Sequence, residues 1–210
     1  MNVSICPTVT TDDPAVYKRQ IEQTVAYAHR IHIDLSDGFF AAKLIEIEDV
    51  WWPGGVRADL HVMYERPFDH VEALTALRPQ LIIVHAEAEG DFTAFAQHVH
   101  QYGIEVGVAL LPETPAETIR PALEQIDHVL IFSGHLGRFG GHADLGLLTK
   151  AKQLREWMPR LELGWDGGID SGNARQLAEG GIDVLNAGGY LHGAVAPQTA
   201  YATLREAIGG

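Results

Sequence analysis

Residues 30–38 have the sequence RIHIDLSDG, in which apolar and polar side chains alternate. A period of two is typical of a β-strand. One face of this strand carries three aliphatic residues: Ile31, Ile33 and Leu35. The other face carries a histidine and a carboxylate, His32 and Asp34. The segment therefore predicts a strand that is buried on its aliphatic side and carries a functional site on its polar side.

Short apolar strands of this kind recur along the chain and alternate with amphipathic stretches of helical period. Strands are predicted at residues 2–6, 31–35, 57–63, 81–86, 104–110, 128–133, 161–165 and 183–187. Helices are predicted at residues 13–28, 43–49, 67–77, 91–101, 115–125, 144–157, 171–179 and 197–208. Repeated strand-then-helix units imply a parallel sheet, and eight such units close a barrel. We therefore expect an α/β protein with a single (β/α)8 TIM barrel, in one domain spanning residues 1–210.

Two of the predicted helices begin with strong local signals. Asp13 stands before Pro14, which places a capping carboxylate ahead of a proline at the first helical position. Residues 114–117, Thr-Pro-Ala-Glu, have the pattern of a capping box. The helix at 43–49 is the weakest of the set, and the stretch 39–55 around it is expected to contain much loop.

The composition narrows the classes of function. The formal net charge is −13, and so acidic a surface repels nucleic acid, so we expect no nucleic-acid partner. No apolar run approaches the roughly 18 residues that a membrane span needs, so we expect no membrane partner. Residues 1–7 predict a strand rather than a signal peptide. The single cysteine, Cys6, excludes an internal disulfide and fits a cytoplasmic location.

Two further strands carry polar residues at matching positions. Asp59, His61 and Met63 share one face of the third strand, and Asp166 follows the seventh. In a barrel of this kind the site forms at the C-terminal ends of the strands. Four side chains are expected to meet there: His32, Asp34, His61 and Asp166. Two imidazoles and two carboxylates suit one divalent metal ion, with Zn, Fe, Mn and Co as candidates. The alternative is a set of polar residues that satisfy one another in a wet barrel mouth.

Glycine clusters follow the last three predicted strands. They are Gly137-Arg138-Phe139-Gly140-Gly141, Gly167-Gly168 and Gly188-Gly189. Glycine lets backbone N–H groups approach an anion closely, and the loops after strands seven and eight often bind phosphate in this fold. The clusters predict a phosphate site for a small phosphorylated ligand, with ordinary turns as the alternative.

These motifs resemble those of the ribulose-phosphate 3-epimerase family almost from end to end. The family's second-strand motif, His-x-Asp-x-Met-Asp-Gly-x-Phe, corresponds to residues 32–40, and its third-strand Asp-x-His-x-Met corresponds to residues 59–63. Its Asp-Gly-Gly-Ile signature corresponds to residues 166–169. Its early serine matches Thr8, and its histidine at the end of the fourth strand matches His85.

The resemblance implies a specific site. It implies that the four residues named above bind one divalent metal ion, and that Asp34 and Asp166 also form an acid–base pair. Such a pair removes a proton from C3 of a ketose phosphate on one face and returns a proton to the other. The default pair of substrates is D-ribulose 5-phosphate and D-xylulose 5-phosphate. With the glycine loops, the implied substrate contacts are Thr8, His61, Met63, Gly140, Gly141, Gly167, Gly168, Gly188 and Gly189. His85 is a further candidate contact. A homo-oligomer is compatible with the resemblance.

The sequence departs from the family's pattern around the expected sugar site. Ser36 and Phe132 stand where the family has methionines, Gly189 replaces a phosphate-binding serine, and Arg138 is an additional residue in its loop. Arg138 is a candidate phosphate contact. The acid–base pair is unchanged, so an epimerase is implied while its substrate stays open, with a hexulose 6-phosphate as an alternative. A phosphate-binding barrel without turnover is another. A decarboxylase is disfavoured, because those enzymes carry an Asp-x-Lys-x-x-Asp array on the third strand and His61 stands at the equivalent position here.

Overall fold

Eight parallel strands close into a barrel in the order in which they occur along the chain. The computed structural model describes residues 3–138 and 141–209. The strands are β1 (Ser4–Val9), β2 (Arg30–Ser36), β3 (Arg57–Met63), β4 (Leu81–His85), β5 (Glu105–Leu110), β6 (His128–Phe132), β7 (Glu162–Asp166) and β8 (Val184–Ala187). Each strand pairs with the next, and β8 pairs with β1, for example Cys6 with Asn186. The prediction of a single (β/α)8 barrel is confirmed.

The connections between strands are built mainly from short helices. The α-helices are α1 (Pro14–Thr24), α2 (Val71–Ala76), α3 (Phe92–Gln101), α4 (Leu148–Trp157), α5 (Ala174–Glu179), α6 (Gly189–His192) and α7 (Pro197–Ala207). Four 3-10 helices cover Ile47–Asp49, Pro67–His70, Ala116–Gln125 and Leu145–Leu147. No helix in residues 3–138 or 141–209 combines the length and the apolar character that crossing a membrane requires.

Two local predictions were wrong in part. The helix expected at 43–49 is reduced to the turn Ile47–Asp49, because this stretch buries apolar residues in an irregular loop whose backbone bonds reach other segments, such as Ile45 N–H to the Thr11 carbonyl. The segment Ala116–Gln125 is a 3-10 helix rather than an α-helix. Pro121 lies inside it and has no N–H to complete an α-helical ladder.

Of the two predicted helix caps, one forms and the other does not. The carboxylate of Asp13 accepts hydrogen bonds from the N–H groups of Ala15 and Val16, as predicted. The capping box at 114–117 does not form, because the Thr114 hydroxyl donates to the carboxylate of Glu87 instead. A side chain that is distant in sequence has therefore displaced the local cap.

The two faces of the strands have different roles. The aliphatic residues of β2 are fully buried between the barrel and its outer helices. Inside the barrel, a small apolar layer is formed by Leu81, Ile83, Ala109 and Leu130. A charged network lies at the N-terminal end of the strands, opposite the polar C-terminal end.

Arg30 is the centre of that charged network. Its Nε donates to a carboxylate oxygen of Asp59 at 2.7 Å, and its two terminal nitrogens donate to Glu162 at 2.8 Å each. Nδ1 of His128 lies 2.8 Å from the second oxygen of Glu162. Since charge-assisted forks of this kind are strong and directional, the network ties β2, β3, β6 and β7 together at the N-terminal end of the barrel.

Glu162→Gln tests the contribution of this network across pH. Burial acts to raise the pKa of Glu162, but hydrogen bonds from Arg30 and His128 outweigh it and hold the pKa well below its usual value. A lowered pKa stabilises the fold above the ordinary pKa, near 4.5, and this contribution is lost as the pH falls below that value. We therefore expect Glu162→Gln to be less stable than the unmodified protein at pH 7, with a smaller difference at pH 3.5, as measured by urea unfolding. The exposed Glu156→Gln is the control, and a difference that does not change with pH would contradict the account.

Candidate metal centre and substrate cavity

Four ligating side chains converge at the C-terminal end of the barrel. His32 and Asp34 come from β2, His61 from β3 and Asp166 from the end of β7. The β2–β3 register places Asp34 directly beside His61. Both histidines are fully buried, and the two carboxylates are nearly so. The structure thus brings together the four residues that the sequence pattern selected as metal ligands.

The ligand atoms face a common point. Oδ1 of Asp34 lies 3.0 Å from Nδ1 of His61 and 3.3 Å from Nε2 of His32. Oδ2 of Asp166 lies 3.9 Å from each of the same two nitrogens. One ligand atom from each of the four residues can be chosen so that all lie within 4.8 Å of one another.

This donor set fits a divalent metal ion. Nitrogen and oxygen ligands about 2.1 Å from one ion lie roughly 3.0 to 3.5 Å from each other. The separations of Asp34 from the two histidines fall in this range, and those of Asp166, at 3.9 Å, are somewhat longer. Within the described residues neither buried ring nitrogen of His32 makes a hydrogen bond, and the contact of its Nε2 with Oδ1 of Asp34, at 3.3 Å, is an ion-pair contact only. Buried ring nitrogens without a hydrogen bond are unfavourable, and a ligated ion would satisfy one of them. The residues present therefore match the chemistry of a metal site.

The carboxyl groups of Asp34 and Asp166 differ in pKa. Burial raises the pKa of Asp166 to about 7, and the nearby charge of Asp34 adds to the rise. Burial also acts to raise the pKa of Asp34, but its contacts with His32 and His61 outweigh this effect and hold the pKa below its usual value. Without a bound cation, one carboxyl group thus retains a proton far more readily than the other. Such a division is typical of acid–base pairs.

The two imidazoles also differ. Burial lowers the pKa of His61 to about 4, so this ring is neutral at pH 7 and has a lone pair for a metal ion. In His32 burial acts in the same direction, but the charges of Asp34 and Asp166 outweigh it and raise the pKa.

A cavity of about 210 Å³ opens directly above the four residues. Asp34 and Asp166 lie in its wall. So do most of the predicted substrate contacts: Thr8, Met63, Gly141, Gly167, Gly168, Gly188 and Gly189. Gly140 lies outside the described residues. His61 does not line the cavity and belongs to the ligand cluster.

The two further candidate contacts, Arg138 and His85, lie in different places relative to the cavity. Arg138 lines the cavity from the loop after β6. His85 does not line this cavity; its Nε2 lies 2.8 Å from Nε2 of His61, behind the ligand cluster. His85 thus faces the metal centre through another histidine.

The glycine loops pack backbone against backbone. Gly167 and Gly168 have φ angles of 109° and 68°. A Cβ on Gly167 would lie 2.2 Å from the backbone nitrogen of Gly134, and one on Gly168 would lie 2.2 Å from that of Ala143. Only glycine fits these two positions, so the wall of the cavity after β6 and β7 consists largely of main chain.

Sequence reasoning missed two polar residues of the site. The Thr10 hydroxyl donates a hydrogen bond to Oδ2 of Asp34. Asn186 lines the cavity with a side chain that is buried and has no hydrogen-bond partner among the described residues. Thr10 directly follows β1, and Asn186 lies on β8, where it pairs in register with Asp166. The alternation that includes Thr8 and Thr10, and an inward polar residue on β8, were the signals that could have identified them.

Comparison of the sequence with known proteins identifies one family. The profile of the ribulose-phosphate 3 epimerase family matches residues 4–192. Ribulose-phosphate 3-epimerase from Helicobacter pylori is 31% identical over 198 residues, which are 90% of each chain. The enzyme of that name from Bacillus subtilis is 27% identical over 202 residues, covering 91% of this chain and 93% of the other. The structure of 3-keto-L-gulonate-6-phosphate decarboxylase from Vibrio cholerae superposes with a TM-score of 0.73 at 15% identity, covering 99% of this chain and 98% of that one. That likeness concerns the fold alone.

The match to the family profile spans most of the chain, and the identity to the Helicobacter protein extends over nine-tenths of both sequences. The paired His-x-Asp and Asp-x-His strands, and the aspartate that ends β7, lie together inside the matched region. The chain therefore belongs to the ribulose-phosphate 3-epimerase family and is an isomerase.

Proposed function

We propose that this protein inverts C3 of a ketose phosphate with the help of one divalent metal ion, and that D-ribulose 5-phosphate and D-xylulose 5-phosphate are its default substrates. The observation that carries the proposal is the pair Asp34 and Asp166. They come from strands three positions apart around the closed barrel, line one cavity and differ in their affinity for a proton.

Inversion of a carbon next to a carbonyl needs two proton-transfer groups. One carboxylate removes the C3 proton to leave a planar enediolate, and the other carboxyl group delivers a proton to the opposite face. Because the reaction is reversible, each aspartate serves as base for one epimer and as acid for the other. Asp34 and Asp166 are the groups that we assign to these two roles.

The metal ion is proposed to be held by His32, Asp34, His61 and Asp166. A divalent cation at this position would polarise the substrate carbonyl and stabilise negative charge on the adjacent oxygen. The ligand types are compatible with Zn, Fe, Mn or Co. The Thr10 hydroxyl would hold Asp34 in orientation, leaving its other oxygen directed at the histidines.

A phosphorylated sugar suits the remainder of the cavity. Main-chain walls at Gly167, Gly168 and Gly188 allow backbone N–H groups to approach a phosphate. Asn186 has both a free donor and a free acceptor for a sugar hydroxyl. Arg138, at the rim, is the candidate for a direct charge contact with phosphate. A small sugar phosphate is therefore the proposed partner, and the cytoplasmic location stays a prediction.

A second ketose phosphate remains the alternative, and a specific observation favours testing it. The cavity is lined by Phe132, Gly189 and Arg138, three positions at which the sequence departs from the family's pattern. They change the size and polarity of the space around the sugar, while the acid–base pair Asp34 and Asp166 is kept. A hexulose 6-phosphate would use the same chemistry at C3.

Proton exchange in deuterium oxide tests the reaction and the substrate together. Protein treated with a chelator is reloaded separately with Zn²⁺, Fe²⁺, Mn²⁺ or Co²⁺ and incubated with D-ribulose 5-phosphate or D-fructose 6-phosphate. We expect deuterium at C3 and the formation of the C3 epimer, measured by proton NMR, and loss of both in chelated protein. Exchange with the hexulose phosphate alone would move the assignment to the second substrate. No exchange with either compound and any of the four metals would overturn the epimerase proposal.

A further inference from the structure

A chain of polar contacts extends from the metal centre to a carboxylate that the reaction does not use. Nε2 of His61 lies 2.8 Å from Nε2 of His85. Nδ1 of His85 lies 3.4 Å from Oε2 of Glu87, an ion-pair contact in which no hydrogen bond is formed among the described residues. Both imidazoles are buried. The sequence pattern had pointed to His85 only as a candidate substrate contact and had not identified Glu87.

A hydrogen bond between two imidazole nitrogens at this distance uses one proton, which is carried by one ring or the other. If His61 carries this proton on Nε2, its Nδ1 is unprotonated, and the lone pair on Nδ1 faces Asp34 and the metal position. His85 then accepts through Nε2, and its own proton lies on Nδ1, the atom nearest to Glu87. In the opposite arrangement the proton on Nδ1 of His61 would occupy the position of a metal–nitrogen bond. The location of one proton thus decides whether His61 can bind a cation.

The contacts of Glu87 favour the arrangement with a proton on Nε2 of His61 and a proton on Nδ1 of His85. Its Oε1 accepts from the backbone N–H of Leu111 at 3.3 Å and from the hydroxyl of Thr114. These contacts leave Oε2 directed at His85. A fixed carboxylate stabilises a proton on the facing nitrogen of His85.

Aromatic rings enclose the two histidines. The ring of Phe40 lies 4.8 Å from that of His85, and the ring of Phe132 lies 5.9 Å from His61 and 6.2 Å from His85, measured between centroids. An apolar cover strengthens the hydrogen bonds beneath it, because it lowers the local dielectric constant.

We propose that Glu87 is a positioning residue that acts through His85 to hold His61 in its metal-binding tautomer, and that it thereby raises the affinity of the site for a divalent cation. This inference rests on the proposed metal-dependent function. Partners that orient a ligating histidine typically contribute about 10- to 100-fold in metal affinity.

Metal affinity of Glu87→Gln tests the proposal directly. Co²⁺ is the probe, and its dissociation constant is measured by competition with a chromophoric chelator and by its visible absorption spectrum. We expect Glu87→Gln to bind Co²⁺ about tenfold or more weakly and to give an altered spectrum, while chelated variant and unmodified protein unfold at similar temperatures. The matched control is Glu89→Gln, two residues away, whose exposed side chain pairs with the exposed Arg66.

The outcomes separate this inference from the proposed function. Failure of the unmodified protein to bind Co²⁺ would contradict the metal-dependent function itself. Tight binding by the unmodified protein, with equal affinity and spectrum in Glu87→Gln, would overturn the role of Glu87 alone. If Glu87→Gln fails to fold, Thr114→Val, which removes one hydrogen bond to Glu87, is measured instead. A smaller loss of Co²⁺ affinity supports the proposal, and no loss overturns it.

Discussion

Replacing Asp166 by asparagine is expected to lower kcat at least about a thousandfold, because the variant can neither accept nor deliver a proton at C3. Asp34→Asn is expected to do the same, and both variants are expected to bind the metal ion more weakly, since each carboxylate is a proposed ligand. The two losses should not add in the double variant, because each carboxyl group is useless for inversion without the other. The measurement is turnover and C3 exchange in deuterium oxide with the metal-loaded protein.

Asp49→Asn is the control, because Asp49 is exposed and the substitution removes the same charge away from the site. Circular dichroism of each variant checks the fold. Retention of C3 exchange in both Asp34→Asn and Asp166→Asn would refute the acid–base assignment. Exchange retained in one variant, with epimerisation lost, would instead identify the face on which the remaining aspartate acts.

Arg30→Met is expected to cause the largest loss of stability outside the site, about 3 kcal/mol in the free energy of unfolding. The side chain of Asp59 is almost fully buried and accepts from Arg30 at 2.7 Å. Without Arg30 it remains as a buried charge with no cation beside it. The partly exposed Glu162 is affected less, because water can solvate it.

The loss of stability in Arg30→Met should become smaller at low pH. Burial raises the pKa of Asp59, and Arg30 counteracts part of that rise. Removal of Arg30 should raise the pKa further, so ionisation of Asp59 destabilises the variant at neutral pH and protonation relieves it as the pH falls. Urea unfolding at pH 7 and pH 4.5 measures the difference.

Arg57→Met is the matched control, because Arg57 is exposed and lies beside Arg30 in the β2–β3 register. Arg30→Met combined with Asp59→Leu should recover part of the lost stability, since no unpaired charge would remain. Equal losses in Arg30→Met and Arg57→Met would disprove the importance of the buried ion pair.

Much of the barrel and of the candidate site could be predicted from local patterns. The alternation around His32 and Asp34 revealed a strand with one polar face, and repetition of strand and helix implied the closed barrel. The loop content of residues 39–55 was also predicted, and these residues form mostly loop, because their apolar side chains are buried without a helical or strand period. The helix expected at 43–49 was wrong, since only the 3-10 helix Ile47–Asp49 forms there.

Long-range pairings could not be predicted in the same way. Arg30 and Glu162 are 132 residues apart, and Asn186 meets Asp166 only through the β7–β8 register. Nothing in the vicinity of Glu87 in the sequence indicates that His85 will face it and His61 together.

The sequence by itself determined the order of the barrel units and the chemical types of the ligands, because both follow from side-chain periodicity within single strands. Only the tertiary structure decided the separations between ligand atoms, the unequal proton affinities of Asp34 and Asp166, and the chain of contacts from His61 to Glu87. These properties depend on distance and burial. Both are set when β2, β3 and β7 are brought around one interior by closure of the barrel.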